Sequence, residues 1–400
     1  MLNLSGNALS ELPADLARLH RLRILFCSEN RFERLPDVLG ERPQLEMVGF
    51  KSNRIAQVSG AALPQRLRWL ILTDNEIAEL PVELGQRPRL QKLMLAGNRL
   101  ATLPESMAAC RQLELLRIAS NRLRELPGWL LDLPRLSWLA FAGNPIGHPS
   151  EERGVDAHPV PDVDWNALQL HEVLGEGASG LIHRATWNAG GTRSSVAVKL
   201  FKGHVTSDGS PLAEMEACLA AGAHPNLIPV RGRIAGHPEG MPGLVLDLVG
   251  AAHRNLAGPP SFGSCTGDVY AGGTGFGGDS LLAIAGGTAS ALAQLHGRGI
   301  VHGDFYAHNI LWDGASSALL GDFGAASFFA PESHHAMGLQ RIEARAFGCL
   351  LEELLERCEG TPGPREREAL AQLQARCFDP DPRQRPALEE VAAAFDALAR

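Results

Sequence analysis

The chain has 400 residues and a net charge of −8, with 45% apolar and 20% charged residues. This balance excludes a mostly disordered or fibrous protein, and the length points to two or three domains. No apolar run approaches the ~18 residues of a membrane helix. The opening MLNLSGNALSELP has neither the basic nor the apolar stretch of a secretory signal. Seven cysteines are scattered without a Cys-x-x-Cys pair. Neither a disulfide framework nor a zinc site is expected, and a reducing cytoplasm fits best. Charge is unevenly divided: residues 1–147 hold 19 basic and 15 acidic residues, net +4, which leaves −12 for residues 148–400. An acidic C-terminal part argues against a nucleic-acid surface.

Asparagines recur at Asn7, Asn30, Asn53, Asn75, Asn98, Asn121 and Asn144, at intervals of 22 or 23 residues. Six follow an L-x-x-φ-x-φ-x-x-N frame, as in LQKLMLAGN (Leu90 to Asn98). Leu-Pro follows five of the seven asparagines, as at Leu103-Pro104, while the third full unit carries Val58-Ser59 instead. This segment resembles the leucine-rich repeat family in its short Leu-Pro variant. One unit cannot bury its apolar face alone, so neighbours stack. The Asn amide both donates and accepts, so it is expected to satisfy backbone groups at the turn, as scaffold rather than site. The chain begins at a first repeat strand without a preceding cap; that end either frays or lies downstream of the true start.

Side chains alternate across a strand, so the residues between the inward ones form columns on the concave face. One reads Ile24, Met47, Trp69, Lys92, Leu115, Trp138; the next reads Phe26, Gly49, Ile71, Met94, Arg117, Ala140; the third, small or polar, reads Ser28, Lys51, Thr73, Ala96, Ala119, Ala142. An apolar stripe with two Trp is a candidate surface for a protein substrate or partner, carried by Trp69, Ile71, Met94 and Trp138. The alternative is packing against the protein's own C-terminal part.

Residues 148–167 lose all periodicity and read as a linker or end cap. Beyond them stands Gly175-Glu-Gly177-Ala-Ser-Gly180. Glycines let backbone approach a phosphate, and the strand-like Leu181–Trp187 after them points to a hairpin lid rather than a strand-to-helix turn. Val196-Ala-Val-Lys199 follows. A helix is expected from Pro211 to Ala221, offering Glu214 or Glu216 to Lys199. Further on come the apolar strand Gly243–Val249, then His302-Gly303-Asp304 with Asn309 five residues after the Asp, then Asp322-Phe323-Gly324. That order and spacing match kinase catalytic and magnesium loops.

With these elements in order, residues 168–400 resemble a eukaryotic-type protein kinase domain, and the whole chain resembles bacterial leucine-rich-repeat protein kinases. The resemblance implies an α/β leucine-rich-repeat solenoid (1–147) followed by an α+β bilobal kinase-like domain (168–400), with ATP and Mg²⁺ as cofactors. It implies that Gly175, Gly177 and Gly180 cover the phosphates. Lys199 would bind them and Glu214 would fix Lys199. Ile182, Ala197 and Leu311 would sandwich the adenine. Asp247 and Val249 would present hinge backbone, below a gatekeeper at Leu246. Asp304 would accept the proton of the acceptor hydroxyl, and Asn309 and Asp322 would ligate the metal.

Several positions depart from that pattern. The family's Arg before the catalytic Asp is Gly303, and the Lys two residues after it is Tyr306. The γ-phosphate therefore lacks an expected cation, for which His308 would partly substitute if protonated. Ala330-Pro331-Glu332 either closes a short activation segment, with Arg385 as salt-bridge partner of Glu332, or is a coincidence. Glu343 stands where the family has an Asp anchoring the catalytic loop. Residues 250–280, rich in glycine, read as a flexible loop at the ATP mouth without a catalytic role. The expected function is transfer of the γ-phosphoryl group to a protein Ser/Thr hydroxyl in the cytoplasm, with the repeats binding substrate or partner and with no nucleic-acid or membrane contact. The alternatives are a small-molecule kinase of the antibiotic or choline type, which shares His-Gly-Asp-x4-Asn, and an inert scaffold.

Overall fold

Each repeat places two or three residues in extended conformation, and the middle one of each three is the aliphatic residue that the frame turns inward. The strands are β1 (Leu2–Asn3), β2 (Ile24–Phe26), β3 (Met47–Gly49), β4 (Trp69–Ile71), β5 (Lys92–Met94), β6 (Leu115–Arg117) and β7 (Trp138–Ala140). They form one parallel sheet in chain order, as stacked repeats require. Leu25, Val48, Leu70, Leu93, Leu116 and Leu139 are buried in one continuous core, each contributing about 2 kcal/mol of burial. The register aligns Ile24, Met47, Trp69, Lys92, Leu115 and Trp138 across six strands. The expected column is thus a physical row.

The asparagines stitch successive repeats. Asn98 donates to the carbonyls of Leu72 (2.9 Å) and Leu95 (3.0 Å), and its amide oxygen accepts from the Ile77 backbone (3.0 Å). Asn75 and Asn121 repeat the pattern one unit away. Buried backbone groups at the turn are satisfied without water.

The computed structural model describes residues 1–146, 160–203, 205–360 and 363–398. Most of the expected linker lies outside them. Its last part is not a linker: β8 (Asp162–Asp164) pairs in parallel with β12 (Val230–Ala235). Val163 fills that strand's inward position and is buried. β8 is an edge of a six-stranded sheet ordered β8-β12-β13-β11-β10-β9, with β9 (Leu168–Glu176), β10 (Gly180–Ala189), β11 (Thr192–Phe201) and β13 (Gly243–Asp247). Helix Pro211–Ala221 is capped by the Ser210 hydroxyl, which accepts from the Leu212 amide. Helices Gly278–Gly297, Ala336–Glu356, Pro364–Cys377 and Leu388–Leu398 build the remainder. Among the described residues no helix is long and apolar enough to cross a membrane, and all seven cysteines are free.

The repeats and the second part share their cores. Val301, Phe329, Leu339 and Ile342 pack into the repeat interior, while Met94, Leu115 and Trp138 belong to the core formed around helix Gly278–Gly297. The column proposed as a partner surface is therefore largely covered by the chain's own second part. Apolar side chains on both sides leave water together, and that drives the docking.

The glycine-rich tract also differs from the expected flexible loop. Arg254–Asn255 pairs with Leu311–Trp312, Gly258 and Val269 exchange both backbone hydrogen bonds, and Phe276 is buried. Side chains from the tract reach the repeats. Thr266 donates to Glu114, Phe262 lies between Phe26 and Trp69 with ring centroids 5.7 and 6.2 Å away, and the Gly263 and Ser264 carbonyls accept from Arg68. Glycine content suggested freedom; the partners lie more than 150 residues away along the chain.

Candidate active site

The first wall is the hairpin β9–β10. The Gly177 amide donates to the Gly180 carbonyl at 2.9 Å and closes the turn. A β-carbon on Gly180 would collide with the Leu200 carbonyl, whereas one on Gly175 or Gly177 would meet nothing within 4 Å. Packing thus demands only Gly180. The other two leave bare backbone over open space, where a phosphate chain has room to approach. Ile182 stands directly across from Lys199 in the β10–β11 register. Ala197 is two residues from Lys199 on the same strand, so all three share one face of the sheet. Leu311 comes from the strand Ile310–Trp312.

Lys199 pairs with Glu214. The choice between Glu214 and Glu216 is settled by helix phase: Glu214 is buried and turned to the sheet. Burial pulls the Lys199 ammonium down, but the Glu214 carboxylate outweighs it and holds it above its ordinary value, so Lys199 is a cation. Its neighbours Asp322, Leu246, Leu244 and Phe323 line the same cavity of about 90 Å³. The Glu214 Oε2 atom is buried there without a hydrogen-bond partner. Asp322 has φ 55°, an uncommon conformation of the kind found where side chains are aimed for function. Asp247 ends β13. Its amide donates to Pro229 (2.9 Å) and its carboxylate pairs with Arg231. Val249 follows, half-buried.

The second wall is the loop 302–309. Glu343 anchors it as expected, accepting from the His302 amide (3.2 Å), the Gly303 amide (2.8 Å) and the His296 ring (2.8 Å). Burial pushes that carboxyl upward, yet His296 and the backbone donors hold it below its usual range. His302 meets the Gly321 carbonyl at 2.9 Å, and the Gly321 amide donates to Asn309 at 3.0 Å, so the Asp304 and Asp322 loops are tied together. Asn309 donates its amide to Asp304 Oδ2 (2.8 Å) and to the Asp304 carbonyl (2.9 Å). Its own side-chain oxygen then remains as an acceptor. With the Asp322 carboxylate it offers two hard oxygen donors, the donor chemistry Mg²⁺ takes when substrate phosphates and water complete its shell. Among the described residues no cluster of three His, Cys, Asp or Glu forms a complete metal cage. The donor set thus fits a metal held jointly with a nucleotide.

Two expectations change. His308 is not turned toward a phosphate: its ring and backbone amide both bond Asp268 of the glycine-rich tract (2.7 and 3.0 Å). Arg385 is buried and donates to the carbonyls of Asp379 (3.1 Å), Arg341 (3.4 Å) and Pro134 (2.6 Å), while Glu332 is exposed. Three backbone oxygens, one from the repeats, take the place given to the Glu332 carboxylate.

Sequence reasoning missed the contribution of the repeats to this site. The Arg117 guanidinium, 1% exposed, pairs with Asp304 Oδ1 and donates to the Gly303 carbonyl and to Asp208 Oδ1, each at 2.8 Å. Trp138 stacks on Tyr306, with centroids 4.2 Å apart at 8°, and donates its indole N–H to the Phe305 carbonyl at 2.9 Å. A signal was present: Arg117 is the only charged residue in its column. Nothing in the spacing said what it faced.

Residues 168–347 match the family described as protein tyrosine and serine/threonine kinase, and residues 65–123 and 88–146 match leucine rich repeat. The chain therefore carries leucine-rich repeats and a protein kinase domain of the Ser/Thr/Tyr class. Similar curated proteins include the angiopoietin-1 receptor of Danio rerio, 27% identical over 41% of this chain and 15% of that protein. The serine/threonine-protein kinase mos of Xenopus laevis is 28% identical over 40% of this chain and 42% of that protein. The tyrosine-protein kinase receptor torso of Bombyx mori is 42% identical over 19% of this chain and 9% of that protein. The chain thus covers less than half of each of these relatives.

Proposed function

We propose that this chain, with its kinase domain and repeats, is an Mg²⁺- and ATP-dependent protein kinase acting on Ser/Thr hydroxyls in the cytoplasm. One observation carries the reading: the Lys199–Glu214 pair and Asp322 line one cavity, and the His302 ring and a backbone bond tie the Asp322 loop to the loop holding Asp304 and Asn309. Bound ATP would supply the transferable phosphoryl group and Mg²⁺ the charge that neutralises its oxygens. The protein's own task is then positioning and electrostatics. Glu214 keeps Lys199 charged and directed into the cavity. Asn309 and Asp322 present hard oxygens. Asn309 also orients Asp304, whose carboxylate accepts the proton of the attacking hydroxyl. Gly175 and Gly177 leave backbone open to a phosphate chain, and Ile182, Ala197 and Leu311 offer apolar surface to a base beside the backbone of Asp247 and Val249. A foreign protein on the face of Trp69, Ile71, Met94 and Trp138 would have to displace the chain's own second part.

A second reading, phosphorylation of a small-molecule hydroxyl, is favoured by the limited exposure of the Asp304 side chain, 17%, where it pairs with Arg117. The test uses the full chain and Lys199→Met with labelled ATP, a mixture of generic protein acceptors, and phosphoamino-acid analysis. Lys199-dependent phosphoserine or phosphothreonine supports the proposal. ATP turnover with no labelled protein favours the small acceptor. Absence of any turnover leaves an inert scaffold.

A further inference from the structure

We infer that Arg117, contributed by the repeats, is a positioning residue of the kinase site, a clamp that holds the catalytic loop and the lead-in to the Glu214 helix in one arrangement. This rests on the kinase reading given above. The guanidinium divides its donors three ways. Nη2 holds one oxygen of Asp304, Nη1 holds the carbonyl of Gly303, and Nε holds Asp208. Asn309 holds the other oxygen of Asp304. Both oxygens of the proton acceptor are therefore fixed, one from each side, and its plane is set before any substrate arrives.

Asp208 belongs to the turn that begins the helix carrying Glu214. The Thr206 hydroxyl accepts from the Asp208 and Gly209 amides at 3.2 Å, and Ser210 caps the helix. The repeats support this turn directly as well: a side chain added at Gly209 would touch Ala119, and one at Gly97 would touch Val205. One buried cation therefore joins the proton acceptor to the segment that places the partner of Lys199.

The docking is built in rather than incidental. Gly303 has φ +72°, and a β-carbon there would lie 2.7 Å from the carbonyl of Leu139 and 2.5 Å from that of Ala325. The repeat strand thus fills the space that a side chain at position 303 would need. The cations expected at 303 and 306 are Gly303 and Tyr306, and His308 is bound to Asp268. Among the described residues, the cation paired with Asp304 is Arg117. Shared cores on both sides of the contact make release of the repeats a disruption of the fold rather than the opening of a lid.

The test compares the full-length wild type with Arg117→Gln, Arg117→Lys and Asp208→Asn, using two readouts. In hydrogen exchange, Arg117→Gln should speed exchange in both 211–221 and 302–309, and Asp208→Asn in 211–221 more than in 302–309. In steady-state ATP turnover, Arg117→Gln should lower kcat by about a hundredfold with a smaller change in KM. Arg117→Lys should recover part of it, and added guanidinium should partly rescue the Gln variant. Unchanged exchange in either segment overturns the clamp. Wild-type or higher kcat in Arg117→Gln also overturns it, and a higher value would make Arg117 an inhibitory plug. A wild type that turns over no ATP refutes the kinase reading, while the exchange pattern still decides the clamp. If Arg117→Gln does not fold, the Lys and Asp208 variants carry the same two tests.

Discussion

The Leu139 carbonyl, in the last repeat strand, lies 2.7 Å from the point where a side chain on Gly303 would begin. Gly303 precedes the proposed proton acceptor, so the end of the repeat sheet and the loop 302–309 are in van der Waals contact through bare backbone. Restoring the family's arginine by Gly303→Arg should therefore harm the protein. The residue would carry a left-handed φ, costing roughly 1–2 kcal/mol, and would overlap two carbonyls, costing typically another 1–3 kcal/mol. Thermal unfolding should show Gly303→Ala destabilised and Gly303→Arg more so. An Arg variant as stable as wild type would mean that the repeats do not rest on this loop in solution.

Asp322→Asn and Lys199→Met should each lower ATP turnover by about 10²–10³-fold, the usual scale for losing one preorganised electrostatic group. Asn tolerates the left-handed φ of Asp322, so that variant should keep its melting temperature. Lys199→Met leaves Glu214 buried without its counter-charge, so it should lose stability as well as turnover. Paired kinetic and melting measurements separate the two.

Trp138→Ala should destabilise the chain by about 3–5 kcal/mol, the range for a large buried aromatic. It loses the stack on Tyr306 and the bond to the Phe305 carbonyl, and turnover should fall with it because both partners sit in the loop proposed to hold the proton acceptor. Trp69→Ala should cost less, since Trp69 is half-buried and its ring partners are Lys92 at 4.4 Å and the exposed Phe262. Equal costs for the two would contradict the packing described here.

Stability should also fall with rising pH through Glu353. Burial, with Asp268 nearby, pushes its carboxyl from 4.5 up to about 7, and Tyr270 donates to it at 3.0 Å. A carboxyl whose folded value is raised binds its proton more tightly in the folded state. Its contribution is present in full below about pH 4.5 and is lost as pH rises through 7. The loss is at most about 3 kcal/mol. Melting temperature measured from pH 4.5 to 8 should decline, and Glu353→Gln should flatten that decline; an unchanged slope would remove Glu353 as its source.

Much of the site was legible because local chemistry fixes it. The 23-residue period gave the repeat register, and the strand pairs reproduce the first two columns residue for residue. Glu343, read as a lengthened anchor, bonds the backbone of the loop it was expected to hold. Lys199 meets Glu214 because a strand and the next helix bring them together only 15 residues apart. The misreadings have one shared cause. The glycine-rich tract, His308 and Arg385 are read from composition or family position, and each is in fact held by a partner outside its own segment; for the Trp138 column, which strand alternation placed correctly, the alternative of packing on the chain's own second part is the one found.

The order of residues alone determined the stacked repeats, the glycine hairpin and the identity of the charged groups, because period, turn chemistry and short-range spacing act within tens of residues. Only the tertiary fold decided where the repeats rest. Arg117 lies 187 residues from Asp304 and 91 from Asp208, and a charge set among apolar neighbours carries no record of which distant carboxylates will neutralise it. Burial of the two apolar faces against each other brings those carboxylates within reach.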